Sequence, residues 1–419
     1  MHIENKTVVF LCDVNNVLLM IASQFHKRKI KVRYIPDLRL NQHFRIWDAP
    51  IGSEYSIEAF TDFSAPENID KSLIYTKSSE EVRRLLLSVV GKDSIVVGSD
   101  YAPAIFQYAG LKLDYFAVTG ADVNHHTLIT KFTKLADIKQ AFFSKYKGKR
   151  LIHRVNESLN SVDLPTLQRR GIFNSNIVIN SDHFNWTPLV VTKFSSVPYP
   201  LPGAVSEFGV SSDDERFVLK DTLKQIKENC DLLIVNVSKN DFWKGTHLFF
   251  QGFSHYRKLN RLNAKLLIFG RGNLGAIRRY APEVDELIAQ GSILILPPVS
   301  QRDVDGIIGM SDICFGGIWP ESDNYESNPS FAYDWNTSLM QYAKMCKPII
   351  TYSPFKGKFS GFADIDVYPH ESAKSAEEVC ESIVKLEAPE LRARYAIDMK
   401  KWIHEFTEIS LDKWQEVLR

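Results

Sequence analysis

Short runs of consecutive apolar residues alternate with stretches of helical spacing along most of the chain. Thr7–Cys12 is a β-rich apolar run, and Val14–Phe25 follows with helical intervals before the Lys27-Arg28-Lys29 stop. Lys31–Ile35 reads as a second strand ended by Pro36, and Leu73–Tyr75 as another. Ser78 or Ser79 then caps a helix carrying Glu80, Glu81, Val82, Leu85, Leu86 and Val89, which Gly91 terminates. Ser94–Val97 predicts a strand, Ala102–Tyr108 a short helix, and Asp114–Val118 a strand again. Continuously apolar strands are buried on both faces, so the pattern predicts a parallel sheet covered by helices on each side.

Residues Ser195 to Asp214 break the alternation. They hold Pro198, Pro200, Pro202, Gly203 and Gly209, then Ser211-Ser212-Asp213-Asp214, the composition of a linker. The alternation then restarts with helix Val218–Glu228, strand Leu232–Val237, helix Thr246–Tyr256 and strand Lys265–Phe269. Helix Glu283–Ala289, strand Ser292–Leu296, helix Val304–Met310 and strand Ile313–Phe315 come next, then helix Asn336–Met345 and strand Pro348–Thr351. This predicts an N-terminal domain over residues 1–200 and a second over 201–392. A C-terminal helix over 393–419, with Trp402, Phe406 and Trp414 at helical spacing, is expected to cross back to the first.

Composition narrows the function. The 419 residues are 44% hydrophobic and 24% charged, an ordinary globular balance. Lys and Arg total 51 against 50 Asp and Glu, which argues against a nucleic-acid binder. The five cysteines show no CxxC spacing, so neither a zinc site nor a disulfide framework is indicated. No apolar run reaches the length of a membrane span, and Met1-His2-Ile3-Glu4-Asn5-Lys6 lacks the basic start of a signal peptide. A cytoplasmic protein with reduced thiols is expected.

Three motifs carry candidate chemistry. Gly270-Arg271-Gly272-Asn273-Leu274-Gly275 is a literal GxGxxG after a strand. A dinucleotide site needs an acidic residue at the end of the next strand, but that strand ends Leu296-Pro297-Pro298. The motif therefore reads as a tight turn, or as backbone lying close to a diphosphate. Lys239 and Lys244-Gly245 occupy the loop after Leu232–Val237, just before a helix, where phosphates are held and where lysines can neutralise a diphosphate. In Asn336–Ile350, Ser338, Gln341 and Tyr342 stand at i, i+3 and i+4 on one side of a helix that turns through Lys347-Pro348 into a strand. The plain alternative is a helix packed under the sheet with Gln341 exposed.

This stretch resembles the donor-site signature of GT-B glycosyltransferases, particularly family 4-like members, with a looser similarity to the xanthan-type glucuronosyltransferase. Lys239 and Lys244-Gly245 resemble that family's Arg…Lys-Gly motif, Gly270 and Gly272 its Gly-x-Gly turn, Val299-Ser300-Gln301 the loop framing the base, and Phe406–Leu418 its closing helix. Departures are clear: Tyr333 and Gln341 stand where retaining members carry a Glu-x7-Glu pair, and Cys346 replaces the glycine before Lys-Pro. The resemblance implies two Rossmann-like domains facing across a cleft. It implies a nucleotide-sugar donor, UDP-linked, held by Lys239, Lys244, Gly270, Arg271, Gly272, Val299, Ser338, Gln341 and Tyr342, with no metal and no further cofactor.

In the first domain, Thr119-Gly120-Ala121-Asp122-Val123-Asn124-His125-His126 follows a strand's carboxyl end. Asp122 is a candidate general base on an acceptor hydroxyl, with His125 and His126 as rivals and helix capping as the plain alternative. Lys131–Arg154 holds eight Lys/Arg and one acid, interleaved with Phe132, Phe142, Phe143 and Tyr146, a composition suited to an anionic membrane surface or to a solvated helix face. The expected function is sugar transfer to a saccharide or lipid-linked acceptor in bacterial surface polysaccharide assembly, with inversion. A sugar-nucleotide epimerase and a catalytically silent binding protein on the same fold are the rivals.

Overall fold

The computed structural model describes residues 6–12, 17–35, 69–91, 93–118, 164–180, 194–196, 219–238, 240, 242–270, 274–297, 299, 301–318, 337–352, 358–359 and 362–419. Among these, residues up to 196 together with 413–419 form one compact unit, and residues 219–412 form a second. No disulfide links the five cysteines. No helix among the described residues is long and apolar enough to cross a membrane.

The first unit is built on six parallel strands: β1 (Thr7–Leu11), β2 (Val32–Ile35), β3 (Ser94–Gly98), β4 (Tyr115–Ala117), β5 (Ile177–Asn180) and β6 (Phe194–Ser196). Their order is β2-β1-β3-β4-β5-β6, and every pairing is parallel. Helices α1 (Val17–Lys27), α2 (Leu73–Thr76), α3 (Ser79–Val90), α4 (Ala102–Tyr108) and α5 (Leu164–Asn174) connect them. The central strands are apolar because both faces are covered; Val8, Val9, Phe10 and Leu11 are fully buried. Helix α3 begins with a capping box in which the Ser78 side chain accepts from the Glu81 N–H and the Glu81 carboxylate accepts from the Ser78 N–H.

One expected strand is a helix. Residues Leu73–Thr76 form the single turn α2, with the Leu73, Ile74 and Tyr75 N–H groups donating to Asp70, Lys71 and Ser72 carbonyls. The Asp70 carboxylate accepts from the Ser72 N–H at 2.7 Å and opens that turn. A run of three apolar residues has no periodicity to distinguish the two states, so the aspartate decides.

The second unit repeats the plan. Strands β7 (Leu232–Asn236), β8 (Ala264–Phe269), β9 (Ile293–Leu296), β10 (Ile313–Gly317) and β11 (Ile349–Thr351) follow in the chain. After a short antiparallel pair, β12 (Lys358–Phe359) and β13 (Phe362–Asp366), comes β14 (Glu371–Ser372). The order β14-β11-β10-β7-β8-β9 is again all parallel. Helices α6 (Lys220–Glu228), α7 (Thr246–Lys258), α8 (Leu274–Arg278), α9 (Val284–Ala289), α10 (Gln301–Met310) and α11 (Thr337–Lys344) lie between the strands. Helices α12 (Ala376–Lys385) and α13 (Pro389–Val417) end the chain. One core joins α10, α11 and α13 to one sheet face through Ile307, Ile308, Leu339, Tyr342, Met399, Trp402 and Phe406. The other face is covered by Phe249, Phe250, Phe253 and Tyr256 of α7 with Val379 and Ile383 of α12.

Candidate functional site

Strand order locates the crevice of the second sheet. From β7 the chain lays β8 and β9 on one side, then returns to lay β10 on the other. The connections therefore diverge between β7 and β10, and ligands of open α/β sheets bind outside the carboxyl ends of the strands at such a point. Three segments with candidate residues meet there: the loop after β7, the Lys244-Gly245 turn and helix α11.

The loop after β7 is held by side chains. Asn236 is buried; its Oδ1 accepts from the Ser238 N–H at 2.9 Å, which turns the chain as it leaves the strand. Asn240 donates from Nδ2 to the Phe269 carbonyl at 2.5 Å, which ties the loop to the end of β8. Tyr342 of α11 is fully buried, and its hydroxyl accepts the Val237 N–H at 2.9 Å. Ser238 Oγ donates to Ser338 Oγ at 2.7 Å. Burial, with the neighbouring Cys314, raises the Tyr342 hydroxyl pKa well above the ordinary phenol range. Tyr342 thus braces the β7 loop from behind.

Helix α11 reaches this loop because β10 has a glycine beneath it. A Cβ on Gly316 would lie 2.2 Å from Leu339 Cδ2 and 3.0 Å from Thr351. Gln341, one turn after Ser338, is only 6% exposed, and its Nε2 finds no hydrogen-bond partner. The expectation of an exposed Gln341, attached to the plain reading of the helix, does not hold. Lys347, from the Lys-Pro pair, is structural: its Nζ donates to the Gly309 and Ser311 carbonyls at 2.7 and 2.8 Å, closing the end of α10.

Lys244 ends a short 3-10 turn, Phe242–Lys244, and its carbonyl accepts the Ile318 N–H at 2.9 Å just beyond β10. Gly245 adopts φ +62°, and a Cβ there would lie 2.1 Å from the Ile318 carbonyl oxygen. Only glycine fits both the backbone and the space. Lys244 is consequently anchored, through its own backbone, beside the end of β10. Gly270 follows β8; its N–H donates to the Leu296 carbonyl at 3.2 Å, and a Cβ would make only ordinary contact, so packing does not demand glycine. Val299 is half-buried. Asp122, His125, His126, Lys239, Arg271, Gly272 and the Lys131–Arg154 segment lie outside the described residues.

Several buried polar residues carried no sequence signal. Asn236, Ser238 and Asn240 are ordinary loop residues until the strand order is known. His247, in the first turn of α7, is buried and stacked on Phe242 at 4.3 Å between ring centroids, with Tyr280 5.7 Å away. Burial pushes the His247 pKa below the usual histidine range, and its Nδ1 has no partner. Asp305 of α10 is buried as well, with Oδ2 unpartnered, and burial raises its pKa to about 7 although Lys344 opposes the shift. Among the described residues, no group of three or more His, Cys, Asp or Glu side chains is placed to hold a metal ion.

No model of a known protein family matches the chain, and no curated protein matches it. Solved structures do. The chain is similar to HepE of Anabaena, solved in complex with UDP and glucose, at 9% identity, 96% coverage of this chain, 98% of that chain and a TM-score of 0.52. An alpha-glucosyltransferase in complex with UDP-glucose and DNA containing an abasic site is similar at 11% identity, covering 99% of each chain, with a TM-score of 0.52. Sucrose-phosphate synthase from Thermosynechococcus elongatus is similar at 10% identity, 99% and 98% coverage and a TM-score of 0.51. At these identities the likeness is one of fold: two parallel α/β units of the GT-B type.

Proposed function

We propose that the protein is a glycosyltransferase that moves a sugar from a UDP-sugar, held by the second unit, to a saccharide or lipid-linked acceptor bound by the first. The observation that carries this reading is the cluster at the divergence of β7 and β10. There Ser338 and Tyr342 are bonded to the β7 loop, Lys244 is anchored beside the end of β10, and Gln341 offers a buried, unpaired amide. Lys244, with Lys239, stabilises the departing diphosphate without a metal ion. Gln341 donates to a donor hydroxyl, and Gly270 leaves room for phosphate close to the backbone. The resemblance of the Asn336–Ile350 stretch to a nucleotide-sugar donor signature, and the UDP-bound state of HepE, a neighbour in fold, favour the same donor.

The chemistry proposed is a single in-line displacement. The acceptor oxygen bonds to the anomeric carbon as the bond from that carbon to the diphosphate oxygen breaks. The acceptor proton passes to Asp122, or to His125 or His126, and UDP leaves with the electron pair. The setting is bacterial surface polysaccharide synthesis, with Lys131–Arg154 contacting the inner face of the cell membrane.

A panel of nucleotide-sugars, with and without EDTA and acceptor saccharides, tests the reading. UDP release that survives EDTA is expected, and Lys244→Ala should weaken UDP binding by ~1–3 kcal/mol, the scale of a lost charged hydrogen bond. Donor conversion without acceptor would identify an epimerase, and binding without turnover a silent relative. Asp122→Asn should lower transfer by roughly 10²–10⁴-fold while UDP still binds. A product of retained anomeric configuration would exclude inversion.

A further inference from the structure

His247 sits where an imidazole is stable only while neutral. It is the second residue of α7, is buried, and keeps Nδ1 sealed from solvent with no hydrogen-bond partner. Its ring lies flat on Phe242, with centroids 4.3 Å apart and planes 14° from parallel. Tyr280 covers both, at 4.4 Å from the Phe242 ring and 5.7 Å from the imidazole. A neutral imidazole with its proton on Nε2 meets this cage with a lone pair at Nδ1. Protonation turns Nδ1 into a sealed N–H donor with nothing to accept it, and sets a positive charge at the positive end of a helix.

The titratable and charged groups on the elements around the cage offer no relief. They are Tyr280 itself, Lys244 on the turn, Arg278 and Arg279 at the end of α8, and Glu283 and Asp285 at the start of α9, of which Asp285 is paired with Arg278 at 2.8 Å. The first turn of α7 holds no acidic residue. Burial alone pushes the His247 pKa below the ordinary 6.5.

The cage is also part of the turn that carries Lys244. Phe242 opens the 3-10 turn that Lys244 ends, and the Phe242 carbonyl accepts the Gly245 N–H at 2.9 Å. The Gly245 carbonyl accepts the Leu248 and Phe249 N–H groups at 3.0 and 3.2 Å, which starts α7. Gln251 of α7 fastens Tyr280 over the cage by donating from Nε2 to its carbonyl at 2.6 Å. The stack of His247 on Phe242 thus ties the turn to the helix that follows it.

We propose that His247 is a positioning residue that couples the Phe242–Lys244 turn to pH: its neutral ring holds the turn, and its protonated ring leaves the cage and releases Lys244. The release rests on the second unit alone. Its consequence, weaker binding of the donor diphosphate in acid, rests on the glycosyltransferase reading. Above about pH 6.5 the held and the released ring are both neutral, and the turn stays in place. Below it the released ring takes up a proton that the caged ring refuses. The released form then gains about tenfold per pH unit, until the caged ring itself titrates.

Amide hydrogen exchange on the full chain, corrected for the intrinsic effect of pH, tests the release between about pH 8 and about pH 5. In wild type the Gly245 and Ile318 amides should lose protection by about tenfold per unit below the histidine value, while the β8 amides of Leu266–Phe269 keep theirs. His247→Phe keeps a ring against Phe242 and takes no proton, so the same amides should show no such loss. Calorimetric titration with a panel of UDP-sugars, whose diphosphate is esterified at both ends and does not titrate in this range, reads the consequence. Affinity should fall in acid for wild type, and the ratio between the two pH values should lie closer to one for the variant. Equal protection at both pH values in wild type, the same acid loss in His247→Phe, or an equal loss in β8 would overturn the proposal. A released turn with undiminished UDP-sugar binding would overturn its coupling to the donor. Absence of binding to any UDP-sugar at either pH would instead strike the glycosyltransferase reading and leave the release to be judged by exchange.

Discussion

The hydroxyl of Tyr342 accepts the backbone N–H of Val237 at 2.9 Å, across a sequence separation of 105 residues. This bond fixes helix α11 against the end of β7, on the fully buried side of the candidate donor site. Tyr342→Phe keeps the ring and removes the acceptor, leaving a backbone donor without its partner. A loss of about 1–3 kcal/mol in urea denaturation is expected. The Ser238–Ser338 contact loses its brace as well, so UDP binding should weaken. A variant as stable as wild type would show that this bond does not hold the loop.

Cys346 carries φ +51° two residues after α11, at the position where the resemblance expects glycine. A residue with a Cβ is strained in that conformation by roughly 1–2 kcal/mol. The thiol is half-buried and its Sγ lies 3.6 Å from the Lys344 carbonyl, so some contact is lost on its removal. Cys346→Gly should still raise stability, by about 1 kcal/mol, in the same denaturation assay. A destabilised variant would mean that the side chain contributes more than the strain costs.

Asp305 makes stability depend on pH in an uncommon direction for a carboxylate. Its folded pKa of about 7 lies above the ordinary aspartate value of 3.8 because burial disfavours the charged form. Between these values the folded protein keeps a proton that the unfolded chain has released, so stability falls as pH rises from about 4 to 7. Above about 7 both states are ionised and this contribution is flat. Asp305→Asn removes the titration. The advantage of the variant over wild type should grow on the order of 3–4 kcal/mol across that window, at about 1.4 per pH unit. Melting curves taken at several pH values measure it; parallel curves for the two proteins would refute the assignment.

The parallel α/β plan was legible because buried strands such as Leu232–Asn236 and Ala264–Phe269 carry the apolar runs Leu232–Val235 and Leu266–Phe269, with a helix between them. The candidate donor site was legible in part. Ser338, Gln341, Tyr342 and Lys244-Gly245 lie close to their partners in local pattern, and local pattern is what a sequence displays. What gathers them is strand order, which depends on pairings between residues far apart in the chain, such as Cys314 with Val235. For the same reason the supports Asn236, Ser238 and Asn240 drew no attention. His247 was hidden too, since nothing local marks a histidine as buried or as covered by Tyr280 from beyond α8.

Gln341 separates stability from function most directly. Its Nε2 is buried with no hydrogen-bond partner, and an unsatisfied buried donor costs about 1–3 kcal/mol. Methionine has similar volume and no such donor, so Gln341→Met should be at least as stable as wild type. If the amide is kept for a donor hydroxyl, the same variant should bind a UDP-sugar about ten-fold more weakly, the worth of one neutral hydrogen bond in a closed site. Thermal melting and calorimetric titration with UDP-glucose read the two quantities on one sample. Increased stability together with weaker binding is the expected pair. Loss of stability would mean that the amide serves the fold, and unchanged affinity would remove Gln341 from the donor site.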